Sequence, residues 1–179
     1  MGVFSALLRI AQIESGARRS GFATLDLTEL LGTVAELYRS SAEEKRQAFH
    51  LSVPDMLRVH GDRELLLQLF ANLVENAIKH APTESTIALS ASRETGQVHI
   101  VVTDNGAGIP PHLRAKVLQR FFRLEASRTT QGSGLGLSLA HAIVKLHEAT
   151  LLLSDNEPGL KVTVMMPETC AGGGGRMIK

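Results

Sequence analysis

The 179-residue chain can bury one good core and fits one principal domain. Its 19 basic and 18 acidic residues are interspersed and leave a formal charge of +1, which excludes a nucleic-acid footprint and a polybasic membrane patch. Cys170 is the single cysteine, so there is no internal disulfide framework; no apolar run approaches the roughly 20 residues of a membrane helix, and the start lacks a signal-peptide pattern. The sequence reads as cytoplasmic and soluble.

In chain order, Phe4, Leu7, Leu8 and Ala11 form a helical stripe that Ile10 and Ile13 widen, so this first helix needs another helix as cover. "SGARRSGF" breaks the pattern, and Asp26 or Thr28 caps a second helix through about Arg46. "AFHLSVP" and "MLRVHG" alternate with period two and read as short strands. Asp62 caps a strong helix to about His80. "STIALSASRE" and "QVHIVVTD" read as a strand pair, followed by "NGAGIPP", a short helix over about 111–119 and a polar segment. A helix then opens within "QGSGLGLSLAHAIVKLH", strands "ATLLLSD" and "LKVTVMMP" follow, and the glycine-rich tail reads as disordered. Helices mixed with mostly neighbouring strands predict an α+β fold, a two-layer α/β sandwich whose helices cover one sheet face.

Three stretches carry chemistry. In "DRELLLQLFANLVENAIKHA", Asn72, Asn76, Lys79 and His80 fall on one stripe, while Leu66, Phe70, Leu73, Val74 and Ala77 face the core. A carboxamide oxygen suits Mg²⁺ and lysine neutralises phosphate oxygens, although a solvated polar face explains the same residues equally well. In "HIVVTDNGAGIP", alternating His99, Val101 and Thr103 lead to Asp104 at a strand end beside Gly106 and Gly108. Asn105-Gly106 is a hairpin signal, but no strand resumes; a carboxylate beside bare backbone suits a docking amino group such as that of adenine. The glycines at 132, 134 and 136 precede a helix, and glycine is costly to order. A dinucleotide loop, with Asp155 as its acidic partner, requires a preceding strand, and "LEASRTTQ" is not one. A nucleophile elbow fails for the same reason and because Ala140 stands at its last glycine. What remains is anion binding by free N–H groups at a helix start.

With these stretches in view, the sequence resembles the catalytic and ATP-binding domain of bacterial sensor histidine kinases, within the GHKL ATPase and kinase superfamily. "NLVENAIKHA" looks like the N box and "DNGAGIP" like the first glycine box. "RFFRLEASR" is similar to the phenylalanine box and "GSGLGLSLA" to the second glycine box, in the family's order over about 23–167. The resemblance implies that Asn76 ligates Mg²⁺, that Asn72 lines the phosphates, and that Lys79 contacts phosphate oxygens beside His80. It implies Asp104 as acceptor for the adenine amine, with Gly106, Gly108 and Ile109 along the base. Arg123 would act at the γ-phosphate, making Arg123 and Asn72 the candidate catalytic residues; Phe121 or Phe122 would anchor a lid over about 111–133. Gly132, Ser133, Gly134, Leu135, Gly136 and Leu137 would supply backbone amides to the phosphates.

"ALLRIAQIESG" resembles the end of the second helix of the dimerisation and phosphoacceptor domain, which divides the chain into that remnant and linker (1–22), the catalytic domain (23–168) and the tail (169–179). Among the seven histidines, His147-Glu148 lacks the rest of an "HELRTP"-like acceptor segment, and His112 and His141 read as surface or core residues. The implied partners are therefore ATP, an acceptor histidine on a dimerisation domain outside this chain, and a response regulator. Any membrane attachment would come through upstream segments. The rival is a GHKL-type ATPase or nucleotide-binding module; those ATPases use glutamate where Asn72 stands, which favours the kinase.

Overall fold

The computed structural model describes residues 3–14, 21–124 and 134–169. Helix α1 (Val3–Glu14) is followed by β1 (Ala23–Asp26), α2 (Leu27–Glu44), β2 (Ala48–Ser52), β3 (Arg58–Gly61) and α3 (Arg63–His80). Then come β4 (Thr86–Glu94), β5 (Gln97–Asp104), α4 (Gly136–Leu146), β6 (Thr150–Asp155) and β7 (Leu160–Pro167). The main sheet has the order β2-β4-β5-β7-β6, parallel only between β2 and β4. Register aligns Leu51, Leu89, Val102, Val162 and Leu153 in one row across it. All but Leu51 in this row are buried, under α2, α3 and α4. The expected two-layer sandwich is the observed one.

The caps follow local chemistry. Asp26 accepts from the Thr28 and Glu29 amides at the start of α2, and Asp62 accepts from Leu65 at the start of α3. Thr28 is not the cap. Its hydroxyl donates to the Pro54 carbonyl and accepts from the Leu57 amide, tying α2 to the approach of β3.

Two expectations need correction. Residues 23–26 form a strand that sequence reading missed, because a four-residue segment ending on a helix cap has no alternation to show. Its strand character comes from antiparallel pairing with β3 in a separate two-stranded sheet. The helix expected over 111–119 contracts to a single 3₁₀ turn, Pro111–Leu113, where Leu113 accepts from Lys116 and Val117 and no helical ladder follows. The cover expected for α1 is α4 on one side only: Ile10 and Ile13 are buried while Phe4 and Leu8 are exposed.

His147 locks α4 to the β3–α3 corner. Its Nδ1–H donates to the Ile143 carbonyl (2.8 Å), its Nε2 accepts from the Asp62 amide (3.1 Å), and its ring stacks on Phe22 at 4.6 Å. This bonding requires the neutral ring. Burial holds its pKa below the ordinary value, with the Ile143 bond and Asp62 opposing and His60 adding to the depression. The proton therefore prefers the unfolded chain. The His147 contribution to stability is complete above the free histidine pKa of about 6.5 and declines as the pH falls below it. His147→Phe keeps the stacking but orphans the Asp62 amide, at a cost of about 1–3 kcal/mol. Urea unfolding at about pH 7.5 and about pH 5.5, either side of that pKa, should show a less stable variant whose pH response is flatter than that of the parent.

Candidate functional site

The apolar face of α3 holds Leu65, Leu66, Leu69, Phe70, Leu73, Val74, Ala77 and Ile78 in the core, which leaves Asn72, Asn76 and Lys79 half-buried on the other side. That side meets the start of α4. A Cβ placed on Gly136 would lie 3.4 Å from Asn76 Nδ2 and 3.7 Å from its Oδ1. Leu135, the residue before the helix, provides no capping side chain. The first-turn amides and the positive end of α4 are thus brought beside the Asn76 carboxamide. Asn72 Nδ2 is buried and has no hydrogen-bond partner among the described residues.

The phenylalanine-box residues back the same loop. Gly134 has φ +69°, and a Cβ there would meet Arg123 Cγ, the Phe121 carbonyl carbon and the Phe122 oxygen, each at 3.1 Å. Only glycine fits that conformation in that space. The Phe121 amide donates to the Gly134 oxygen (3.1 Å), and the Phe121 ring is exposed. The charges converge as well. The pKa of His80 is held down by partial burial and then by Lys79, Lys45 and Arg123, so these three cations share the end of α3. Leu135 is buried and Leu137 lies in the first turn of α4. Gly132 and Ser133 lie outside the described residues, as does most of the second half of the expected lid.

Asp104 sits on the other flank of the His80 end. The inward side chains of β5 are Val98, Ile100, Val102 and Asp104, so Asp104 closes the buried row and not the half-buried one that His99, Val101 and Thr103 mark in the sequence. Its Oδ1 accepts from the Gly106 amide (2.7 Å) and the Leu160 amide (3.4 Å); no bond among the described residues engages Oδ2. Burial raises its pKa, and the two backbone bonds oppose the rise. A Cβ on Gly106 would stand 3.0 Å from the His80 oxygen, so this loop rests directly on the end of α3. Gly108 packs its backbone against Gly159, and Ile109 is buried.

This arrangement has relatives. The family model described as "Histidine kinase-, DNA gyrase B-, and HSP90-like ATPase" matches residues 61–169. The chain belongs to that family. SenX3, a sensor-like histidine kinase of Mycobacterium tuberculosis, is 31% identical over 164 residues, 90% of this chain and 40% of SenX3. The solved catalytic domain of histidine kinase ThkA superposes with TM-score 0.75 at 28% identity, over 82% of this chain and 95% of that one. Full-length ShkA, solved in complex with AMPPNP, superposes with TM-score 0.82 at 25% identity, over 94% of this chain and 35% of that one. The resemblance to the catalytic domain of sensor histidine kinases is borne out, and the chain spans well under half of the curated SenX3 relative.

Sequence reading missed the residues that brace this ATPase-family site. Asn156 Nδ2 donates to the Asp104 carbonyl (3.0 Å), while Arg114 bonds both Asp155 and the Ile109 carbonyl. The β6–β7 turn thereby straps both ends of the 105–109 loop. Asp155 was visible only as the acid of a rejected dinucleotide reading, and no local spacing marks the other two.

Gly136→Ala separates fold from site. The added methyl meets ordinary contact distances and the φ there is not left-handed, so thermal unfolding should show stability unchanged or raised by up to about 1 kcal/mol. The same methyl enters the gap beside Asn76, and calorimetric titration with an ATP analogue and Mg²⁺ should show weakened binding.

Proposed function

We propose that this chain binds Mg·ATP and acts as the catalytic domain of a sensor histidine kinase, passing the γ-phosphoryl group to a histidine on a dimerisation domain outside the chain. The observation that carries this reading is the meeting of Asn76 with Gly136: it joins the metal-binding carboxamide of the N box to the amides of the second glycine box, 60 residues apart in sequence. Asp104 Oδ2 accepts from the adenine amine on the other flank of the His80 end of α3. Lys79 and Arg123, together with the first amides of α4, hold the phosphates and offset their charge. The donor chemistry fits a hard cation: Asn76 would hold Mg²⁺ through its amide oxygen, and the ion would neutralise phosphate charge.

The γ-phosphoryl group is held without a base to deliver water to it. Asn72 offers an amide where the hydrolysing members of the superfamily have glutamate, and an amide takes no proton from water near neutral pH. His147, the one histidine followed by an acidic residue in the described chain, has both ring nitrogens engaged in the core, which supports an acceptor supplied from outside. On this reading residues 1–22 belong to the dimerisation helix and its linker, and 23–168 form the catalytic domain. A response regulator then takes the phosphoryl group, and the whole sensor reaches a membrane only through other segments. Among the described residues no helix is long and apolar enough to cross one.

Asp104→Asn tests the adenine end. Its oxygen can keep the Gly106 and Leu160 bonds while the free atom changes from acceptor to donor. The loss of a charge-assisted bond should cost about 1.5–3 kcal/mol, tenfold or more in affinity; equal affinity of parent and variant in competition titration would reduce Asp104 to a turn residue. Phosphoryl transfer depends on in-line positioning, which can supply about 7–11 kcal/mol of barrier lowering. Labelled ATP incubated with this chain alone should give negligible self-phosphorylation and slow phosphate release. Adding the helical hairpin of the parent protein should produce acid-labile phosphohistidine on the hairpin. Rapid phosphate release by the chain alone would instead favour the ATPase reading.

A further inference from the structure

The last turn of α3 is held from behind by two side chains for which nucleotide contact gives no role. Lys45, the residue that ends α2, donates Nζ to the carbonyls of Ile78 (2.8 Å) and Lys79 (3.2 Å). Gln47 is buried and donates Nε2 to the carbonyls of Ile78 (3.1 Å), Ala81 (3.1 Å) and Pro82 (3.0 Å). Its Oε1 has no hydrogen-bond partner among the described residues, so this amide is placed for its donor alone. Carbonyls at a helix end lack partners within the helix, and an ammonium there also meets the negative end of the helix dipole.

That turn is the junction of the site. Lys79 and His80 belong to it, His80 within the field of Lys79 and Arg123, and the His80 oxygen and Ala81 Cα stand 3.0 Å and 3.4 Å from where a Cβ on Gly106 would sit. A small shift of the turn therefore moves the cationic end and the adenine loop relative to each other. Neither Lys45 nor Gln47 belongs to any of the sequence boxes. We propose that Lys45 and Gln47 are positioning residues for nucleotide binding: they fix the end of α3 so that Lys79 and the Gly106 loop keep one spacing. This inference rests on the nucleotide-site reading.

The test titrates the 179-residue chain and its variants with a non-hydrolysable ATP analogue and Mg²⁺ by calorimetry, alongside thermal unfolding. Lys45→Met and Gln47→Leu should each weaken binding roughly tenfold. Lys45→Arg, whose guanidinium can still donate to the same carbonyls, should stay within about twofold of the parent. Val34→Ala, a cavity in the core under α2, should lower the melting temperature at least as far and leave affinity unchanged. Should Lys45→Met not fold, Lys45→Gln, which loses the charge but keeps a donor, carries the comparison. Lys79→Ala separates the two levels of the argument. If Lys79→Ala weakens binding and the Lys45 and Gln47 variants do not, the positioning role is overturned and the site stands. If Val34→Ala weakens binding as much as Lys45→Met, affinity merely follows stability and the positioning role is again overturned. If Lys79→Ala binds unchanged, the site reading falls and this inference with it.

Discussion

One helix has to be core on one side and present the half-buried polar stripe of the candidate site on the other, and the neighbouring elements are arranged around that constraint. The apolar side chains of α3 are buried almost without remainder, and each fully buried aliphatic or aromatic group favours that rotation by about 1.5–3 kcal/mol. Turning the helix by one residue, about 100°, would expose part of that set. The hydrophobic effect therefore aims Asn72, Asn76 and Lys79 as firmly as it packs Leu69 and Phe70. Site geometry here is a by-product of core energetics.

The electrostatics follow from what this helix faces. Lys45, Lys79 and Arg123 lie around one end of α3, where partial burial first and then these cations hold the pKa of His80 below its ordinary value. The uncapped start of α4 adds a further positive field without adding charge. Across the His80 turn, Asp104 presents the opposite character, a buried carboxylate with one oxygen tied to backbone amides. A ligand that is anionic at one end and carries a hydrogen-bond donor at the other matches this polarity. On the proposed function, the distinction between kinase and hydrolase rests on a smaller matter, the single amide of Asn72 where a carboxylate would serve water.

Sequence reading carried a good part of this, and its errors are instructive. The helices α2, α3 and α4 and the main-sheet strands were legible because amphipathic period, N-cap chemistry and strand alternation are written within a few residues. The glycines at 106, 134 and 136 were legible as well, since glycine in series before a helix has few structural uses. The alternation of β5 is legible too, and it places Asp104 at the strand end without saying which row faces the core. The parity of a strand tells which residues share a face, and only the helix layer decides which face is inside.

What the sequence by itself determined is thus the set of elements, the polar stripe on α3 and the backbone-exposing loops, together with the family those loops resemble. Tertiary structure alone decided that β1 exists, because four residues become a strand only when β3 supplies their hydrogen bonds. It decided that residues 111–119 do not continue as a helix, and that His147 serves the core. It also decided the braces: Asn156 reaches Asp104 across 52 residues and Gln47 reaches Ala81 across 34. Such contacts leave no mark in local periodicity, because a side chain that satisfies a distant carbonyl looks in sequence like any other surface polar residue. Their partners are chosen by where the packed core places each chain end, and that is settled only when the whole fold closes.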